Sequence, residues 1–185
     1  MSRNNYDEFM SKYTTLLQEQ IGHEFTASQQ YIAVAVWFDA QDLPQLAAHF
    51  YKQSLEERNH AMMIVQYMLD RDLQIEIPGI SGNSIVNDFA DVLEPLTLAL
   101  NQEKQVTEQI ERLFATAREE NDALGEQFML WFLKEQVEEV ASMNTLVNIA
   151  ERADTLFEIE NFLARETVGD GGEDASAPEA AGGAL

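Results

Sequence analysis

The sequence predicts an all-α protein, a four-helix bundle with one long crossover and a short fifth helix. Three observations lead there. Apolar residues recur at intervals of three and four along four long stretches. Prolines are few: Pro44, Pro78 and Pro95 lie at boundaries between those stretches, and Pro178 lies in the tail. The connections between stretches alternate short, long, short.

The first helix is predicted near 7–40, with an inward row of Leu17, Ile21, Glu24, Ser28, Tyr31 and Ala35. A tight joint at Asp42-Leu43-Pro44 makes the second helix, near 44–72, antiparallel to it. The second row reads Leu46, Phe50, Gln53, Glu57, His60, Ile64. The third helix is predicted near 89–119, with Pro95 marking either its first turns or its true start after a short turn. Its row is Leu96, Leu100, Glu103, Thr107, Ile110, Phe114. Another short joint, Glu120-Asn121-Asp122, leads to the fourth helix near 121–152, with Phe132, Gln136, Glu139, Met143 and Leu146 inward. A fifth helix near 154–166 is short and apolar on one face.

The connection between the second and third helices contains Pro78-Gly79 and Ser81-Gly82-Asn83 and is too long for a hairpin. Extended, it reaches about 50 Å, enough to run the length of a bundle. The two helices it joins are therefore expected to be parallel, as in bundles with one crossover. Residues 1–166 form one expected domain. Residues 167–185, rich in Gly, Ala and acid, form an expected flexible tail with almost nothing to bury.

Composition narrows the function. A chain of 185 residues with 45% hydrophobic and 24% charged residues is long enough and apolar enough for a substantial core. The absence of cysteine excludes disulfides, thiolate chemistry, zinc ribbons and cysteine-ligated iron–sulfur clusters. With 33 acidic and 11 basic side chains the net charge is −22, which disfavours nucleic acid and anionic membranes and attracts cations. The start, MSRNNYDEFM, has no apolar h-region, and no run approaches the roughly 18 apolar residues of a membrane span. A cytoplasmic location is the expectation.

One polar spacing occurs twice. Glu24 is followed 33 positions later by Glu57 and 36 later by His60; Glu103 is followed 33 later by Gln136 and 36 later by Glu139. Each of the six falls in an apolar row. Glu24 and Glu57 both lie about 20–24 Å from the first joint at ~1.5 Å per residue, and Glu103 and Gln136 stand in the same relation to the second. The six converge at one level of the bundle. Four buried carboxylates without partners cost several kcal/mol each, and no Lys or Arg in these rows neutralises them. Two divalent cations would balance them. Glu57 and His60, spaced i,i+3, can share one metal, and mixed carboxylate and imidazole ligation suits iron or manganese better than zinc.

On this ordered set, with the runs SLEERNHAMM and FLKEQVEEV, the sequence resembles the ferritin family, and within it a non-haem bacterial ferritin of the actinobacterial type. It departs from haem-containing bacterioferritins twice: a second Glu-x-x-His is replaced by Gln136 and Glu139, and Arg58 stands where their haem-ligating Met follows Glu57. No haem is therefore expected.

The resemblance implies an iron-storage ferroxidase. Glu24, Glu57 and His60 would hold one iron, with Glu57 bridging to a second held by Glu103 with Glu139 or Gln136. Fe(II) would be oxidised there by dioxygen and the ferric product stored as mineral inside a homo-oligomeric shell of 24 subunits. Tyr31 matches the family's redox-active tyrosine; a plain hydrogen bond to a carboxylate fits it equally. Glu56, Glu135 and Glu138 match a third iron site facing the cavity. Asp122 and Glu126 are entry-channel candidates, or ordinary acids at a helix start. The fifth helix, with Leu156, Phe157, Ile159, Phe162 and Leu163, is too short to be stable alone and would pack at the four-fold axis. Competing readings are a di-iron or di-manganese oxidase of a small organic substrate, which would need neither the fifth helix nor the extra acids, and a non-catalytic helical partner, which would carry apolar residues at the six positions.

Overall fold

The computed structural model describes residues 11–80, 84–169 and 174–185. Five helices follow in chain order: α1 Lys12–Ala40, α2 Pro44–Asp70, α3 Leu93–Glu119, α4 Ala123–Arg152 and α5 Leu156–Arg165. Helix α1 begins where the Ser11 side chain accepts from the Thr14 amide, so the expected start near residue 7 lies outside the described residues. Helix α3 starts at Leu93, later than the 89 expected. Asp91 Oδ1 takes the amides of Leu93 and Glu94 and acts as the cap, which leaves Phe89 as a buried residue of the approach.

The two short joints and the end of α2 share one construction. Asp42, Asp72 and Asn121 each adopt a left-handed backbone, with φ of 58°, 55° and 59°. The residue that follows each one donates back across the helix end, Leu43 to Phe38, Leu73 to Met68 and Asp122 to Ala117. This is a Schellman closure with Asp or Asn in place of glycine, which the short side chain tolerates.

The crossover runs alongside α1. Gln18 pairs with both backbone groups of Glu76, and a Cβ at Gly22 would lie 3.2 Å from the Pro78 ring. The buried Gln30 amide exchanges two 2.8 Å hydrogen bonds with the backbone of Val86. Glu76, Pro78 and Val86 thus lie beside Gln18, Gly22 and Gln30 in the same order, and α3 starts again at the end where α2 started. Helices α2 and α3 are parallel, α1 packs on α2, and α4 packs on α3.

The core is divided in two. One apolar cluster gathers Phe38, Leu46, Phe50, Leu96 and Leu146; the other gathers Leu17, Ile21, Ile64, Ile110 and Phe132. A layer of buried polar side chains lies between them. Helix α5 joins the first cluster through Ile159 and is held by Glu160, whose carboxylate accepts from the Gln45 and Leu46 amides at 2.8 and 3.0 Å. Helix α2 has no side-chain cap of its own at Leu43, so α5 supplies it.

The tail has partners that its composition did not announce. Asp174 accepts from the Trp131 indole, the Ala181 amide donates to Met62 O, and Leu185 exchanges two hydrogen bonds with the buried Asn59 amide. Ala177, Ala180 and Ala181 pack on the second cluster. Among the described residues no helix is long and apolar enough to cross a membrane.

Candidate metal centre

The polar layer is built from all four long helices. Helix α1 contributes Glu24, α2 contributes Glu57 and His60, α3 contributes Glu103, and α4 contributes Gln136 and Glu139. All six are buried; Glu24, Glu57 and Glu103 are each 1% exposed. The apolar neighbours three and four positions away on each helix turn these side chains inward.

Glu24, Glu57 and His60 offer ligand atoms that all lie within 4.8 Å of one another, and His60 Nδ1 stands 3.5 Å from a Glu57 oxygen. Two carboxylate oxygens of these residues, Glu24 Oε2 and Glu57 Oε1, are buried without a hydrogen-bond partner among the described residues. A buried anionic oxygen left unpaired is costly, and a cation between the two carboxylates would satisfy both. The donor set, two carboxylates and an imidazole, fits a divalent first-row metal.

The opposite side of the layer is tied together more fully. The Tyr31 hydroxyl donates to Glu103, and the Gln136 amide donates to Glu103 Oε2 at 3.2 Å and to Thr107. The Gln53 amide donates to Glu139 at 2.6 Å, and back on the His60 side Gln20 donates to Glu24 at 2.8 Å. In this arrangement Gln136 orients Glu103. Among the described residues none of the four carboxylates is paired to a Lys or Arg.

The electrostatics follow from that lack. Burial pushes the Glu24 carboxyl well above its ordinary range, and the nearby Glu57 adds to the effect. Glu57 is raised by burial and then by Glu103 and Glu139. Glu103 is raised by burial against its Tyr31 and Gln136 donors, and Glu139 is pushed up to about 8 by burial and by Glu103. Tyr31 is raised as well, by burial and by Glu103. In each carboxyl burial favours the protonated form, and a cation would favour the ionised one.

The sequence-derived residues separate into groups. The converging six share one layer. Tyr31 reaches it through Glu103. Glu56 is partly exposed and paired with Lys52 at 2.9 Å, Glu135 is buried at the margin, and Glu138 is exposed near Lys134. Among the described residues these three do not bring ligand atoms as close together as Glu24, Glu57 and His60 do. Asp122 caps α4 by accepting from Gly125 and pairs with Arg71, and Glu126 pairs with Arg118, so both act as helix-start acids here. Sequence reasoning assigned no role to Gln20 and Gln53. Their spacing held the signal: they are 33 apart and each stands four positions before an acid of the first triad.

A one-crossover four-helix bundle built around a layer of buried carboxylates defines a narrow structural class. The family model described as the ferritin-like domain matches residues 14–153. Ferritin BfrB of Mycolicibacterium smegmatis is 64% identical over 176 residues, covering 95% of this chain and 96% of that protein. Ferritin BfrB of Mycobacterium tuberculosis is 59% identical over 182 residues, covering 97% and 98%. The bacterial non-heme ferritin of Staphylococcus aureus is 34% identical over 155 residues, covering 82% and 92%. An open pore ferritin of Archaeoglobus fulgidus shares the fold with a TM-score of 0.78 at 24% identity, over 85% of this chain and 98% of that one. The chain belongs to the ferritin family.

Proposed function

We propose that this protein is an iron-storage ferroxidase that binds two Fe(II) per subunit in the polar layer. The observation that carries the reading is that Glu24, Glu57 and His60 bring buried ligand atoms within 4.8 Å of one another, with Glu24 Oε2 and Glu57 Oε1 partnerless and no Lys or Arg paired to these carboxylates among the described residues. Glu24, Glu57 and His60 hold one iron, and Glu57 reaches the second. Glu103 and Glu139 hold that second iron, with Gln136 fixing Glu103. Each Fe(II) gives up one electron to dioxygen, and Tyr31 stands at Glu103 to supply a proton or an electron.

Glu56, Glu135 and Glu138 pass ferric iron towards a cavity enclosed by 24 subunits, where it is stored as mineral. The exposed Leu156 and Phe157 of α5, the latter 72% exposed, support assembly, because such a surface needs covering. Arg58 beside Glu57 supports a chain without haem, and the net charge of −22 supports Fe(II) as the cargo rather than an anion.

Aerobic addition of several hundred Fe(II) per expected shell tests this, following ferric absorbance and solubility. Fast oxidation with iron kept soluble on a very large particle is the expected result. Oxidation that stops near two irons per chain on a small oligomer would favour a di-iron oxidase instead. Oxidation that stays fast in Glu57→Ala would remove the assigned site.

A further inference from the structure

We propose that Asp174, in the tail, is a positioning residue for the metal centre that acts through Trp131 on His60. The inference rests on the reading of Glu24, Glu57 and His60 as a metal site and adds a residue outside the bundle to it.

His60 is bracketed by two rings of α4. Trp131 lies 5.7 Å from it at 72°, and Phe132 lies 5.8 Å from it at 73°, both edge-on. The two α4 rings meet each other at 5.0 Å and 89°, so a turn of one displaces the other. Phe132 is locked in the second core cluster, whereas Trp131 is only partly buried. Besides these ring contacts and its packing on the second cluster, Trp131 is held by its indole N–H, which donates to Asp174 Oδ2 at 3.0 Å.

Asp174 is itself set. Its other oxygen accepts from the Ser176 amide and hydroxyl at 2.8 and 2.6 Å, and Lys134 Nζ lies 3.4 Å from Oδ2. These contacts hold its carboxyl well below the usual range, so it remains an ionised acceptor. Further along, the tail grips α2 on both sides of His60 in sequence, at Met62 through Ala181 and at Asn59 through Leu185. The segment therefore ties α4 to α2 across the seam where the imidazole sits. Partners outside the ligand set that orient a metal-binding histidine typically alter metal affinity by about 10- to 100-fold. Here the orientation passes through a ring contact, which places the effect near the lower end.

The test uses the full chain and Co(II), whose visible absorption reports the imidazole-containing position without any oxidation. Asp174→Ala and Trp131→Phe are each expected to weaken that position by about tenfold and shift its absorption, with size-exclusion profiles unchanged. The double variant should bind no worse than either single one, because both remove the same link. Asp174→Asn, which keeps an acceptor oxygen for the indole, should restore most of the affinity. His60→Ala is the control. If His60→Ala loses the position while Asp174→Ala and Trp131→Phe bind as the parent does, the inference is wrong and the metal site stands. Fully additive losses in the double variant would also overturn it. If His60→Ala leaves Co(II) binding unchanged, the metal-site reading fails and the inference falls with it.

Discussion

Tyr31 on α1 donates its hydroxyl to the Glu103 carboxylate on α3, a hydrogen bond between residues 72 positions apart across the buried layer. It helps keep Glu103 charged against burial, since a donor to a carboxylate favours the ionised form. Tyr31→Phe removes the donor and keeps the ring. A hydrogen bond to a charged group is worth about 1.5–3 kcal/mol, so Co(II) affinity at the second position should fall at least roughly tenfold. Isothermal titration checks this, and aerobic iron oxidation should slow in parallel. Unchanged affinity with slower oxidation would assign Tyr31 an electron-transfer role alone.

The raised carboxyls make the stability of the metal-free protein depend on pH in an unusual direction. Glu139 titrates at about 8 in the folded chain, against an ordinary value near 4.5. Between those values the folded state holds a proton that the unfolded state has released, so stability falls as pH rises through the window. Glu24 and Glu57 are shifted the same way. Metal-free protein is therefore expected to melt at a lower temperature at pH 8 than at pH 5. Glu139→Gln should flatten part of that slope. Chelated protein scanned by calorimetry across pH 5–9 decides it, and a midpoint that rises towards pH 8 would contradict the burial described.

How much of this was legible in the sequence follows from what each feature needs. The converging six were visible because two helical hairpins repeat the same 33 and 36 spacing, and a regular helix converts spacing into depth. The crossover was visible from its length. The start of α3 was not, because Asp91 caps the helix ahead of Pro95 and a cap competes with the apolar pattern that continues through Phe89. The role of Gln20 was hidden because it falls outside the inward row of its helix, and that of Gln53, which lies in its row, because a neutral amide carries no charge that demands a partner. The tail contacts were hidden for a different reason: Asp174, Ala181 and Leu185 bind through isolated polar contacts to distant helices, and no periodicity marks such positions.

Gly125 is a packing residue at the first turn of α4. A Cβ there would lie 2.8 Å from the Tyr13 ring and 3.0 Å from the Ala117 Cβ, both in the buried core. Tyr13 also reaches the Gly125 carbonyl with its hydroxyl at 3.4 Å, so the ring cannot withdraw without losing that contact. Gly125→Ala should destabilise by about 1–3 kcal/mol despite alanine's better helix propensity. Urea unfolding of the metal-free chain measures it; a gain in stability would mean that the α1–α4 contact yields freely.

Glu160 couples the fifth helix to the bundle. Its two oxygens accept from the Gln45 and Leu46 amides, at a helix start whose own cap position, Leu43, has no side-chain acceptor. Loss of a cap costs about 0.5–2 kcal/mol, and a carboxylate at a helix N-terminus adds a favourable interaction with the helix dipole. Helix α5 is ten residues long and has only Ile159 fully buried, with Leu163 packed on the same cluster, so the Glu160 contact adds to a small apolar anchor. Glu160→Ala is expected to lower the melting temperature and to expose the α5 segment to limited proteolysis. Glu160→Gln, which retains an acceptor but no charge, should fall between that variant and the parent. Because Leu156 and Phe157 point outward from this helix, loosening α5 should also shift the oligomer towards smaller species by sedimentation velocity. A variant that melts, resists protease and sediments like the parent would show that α5 is held by contacts other than this cap.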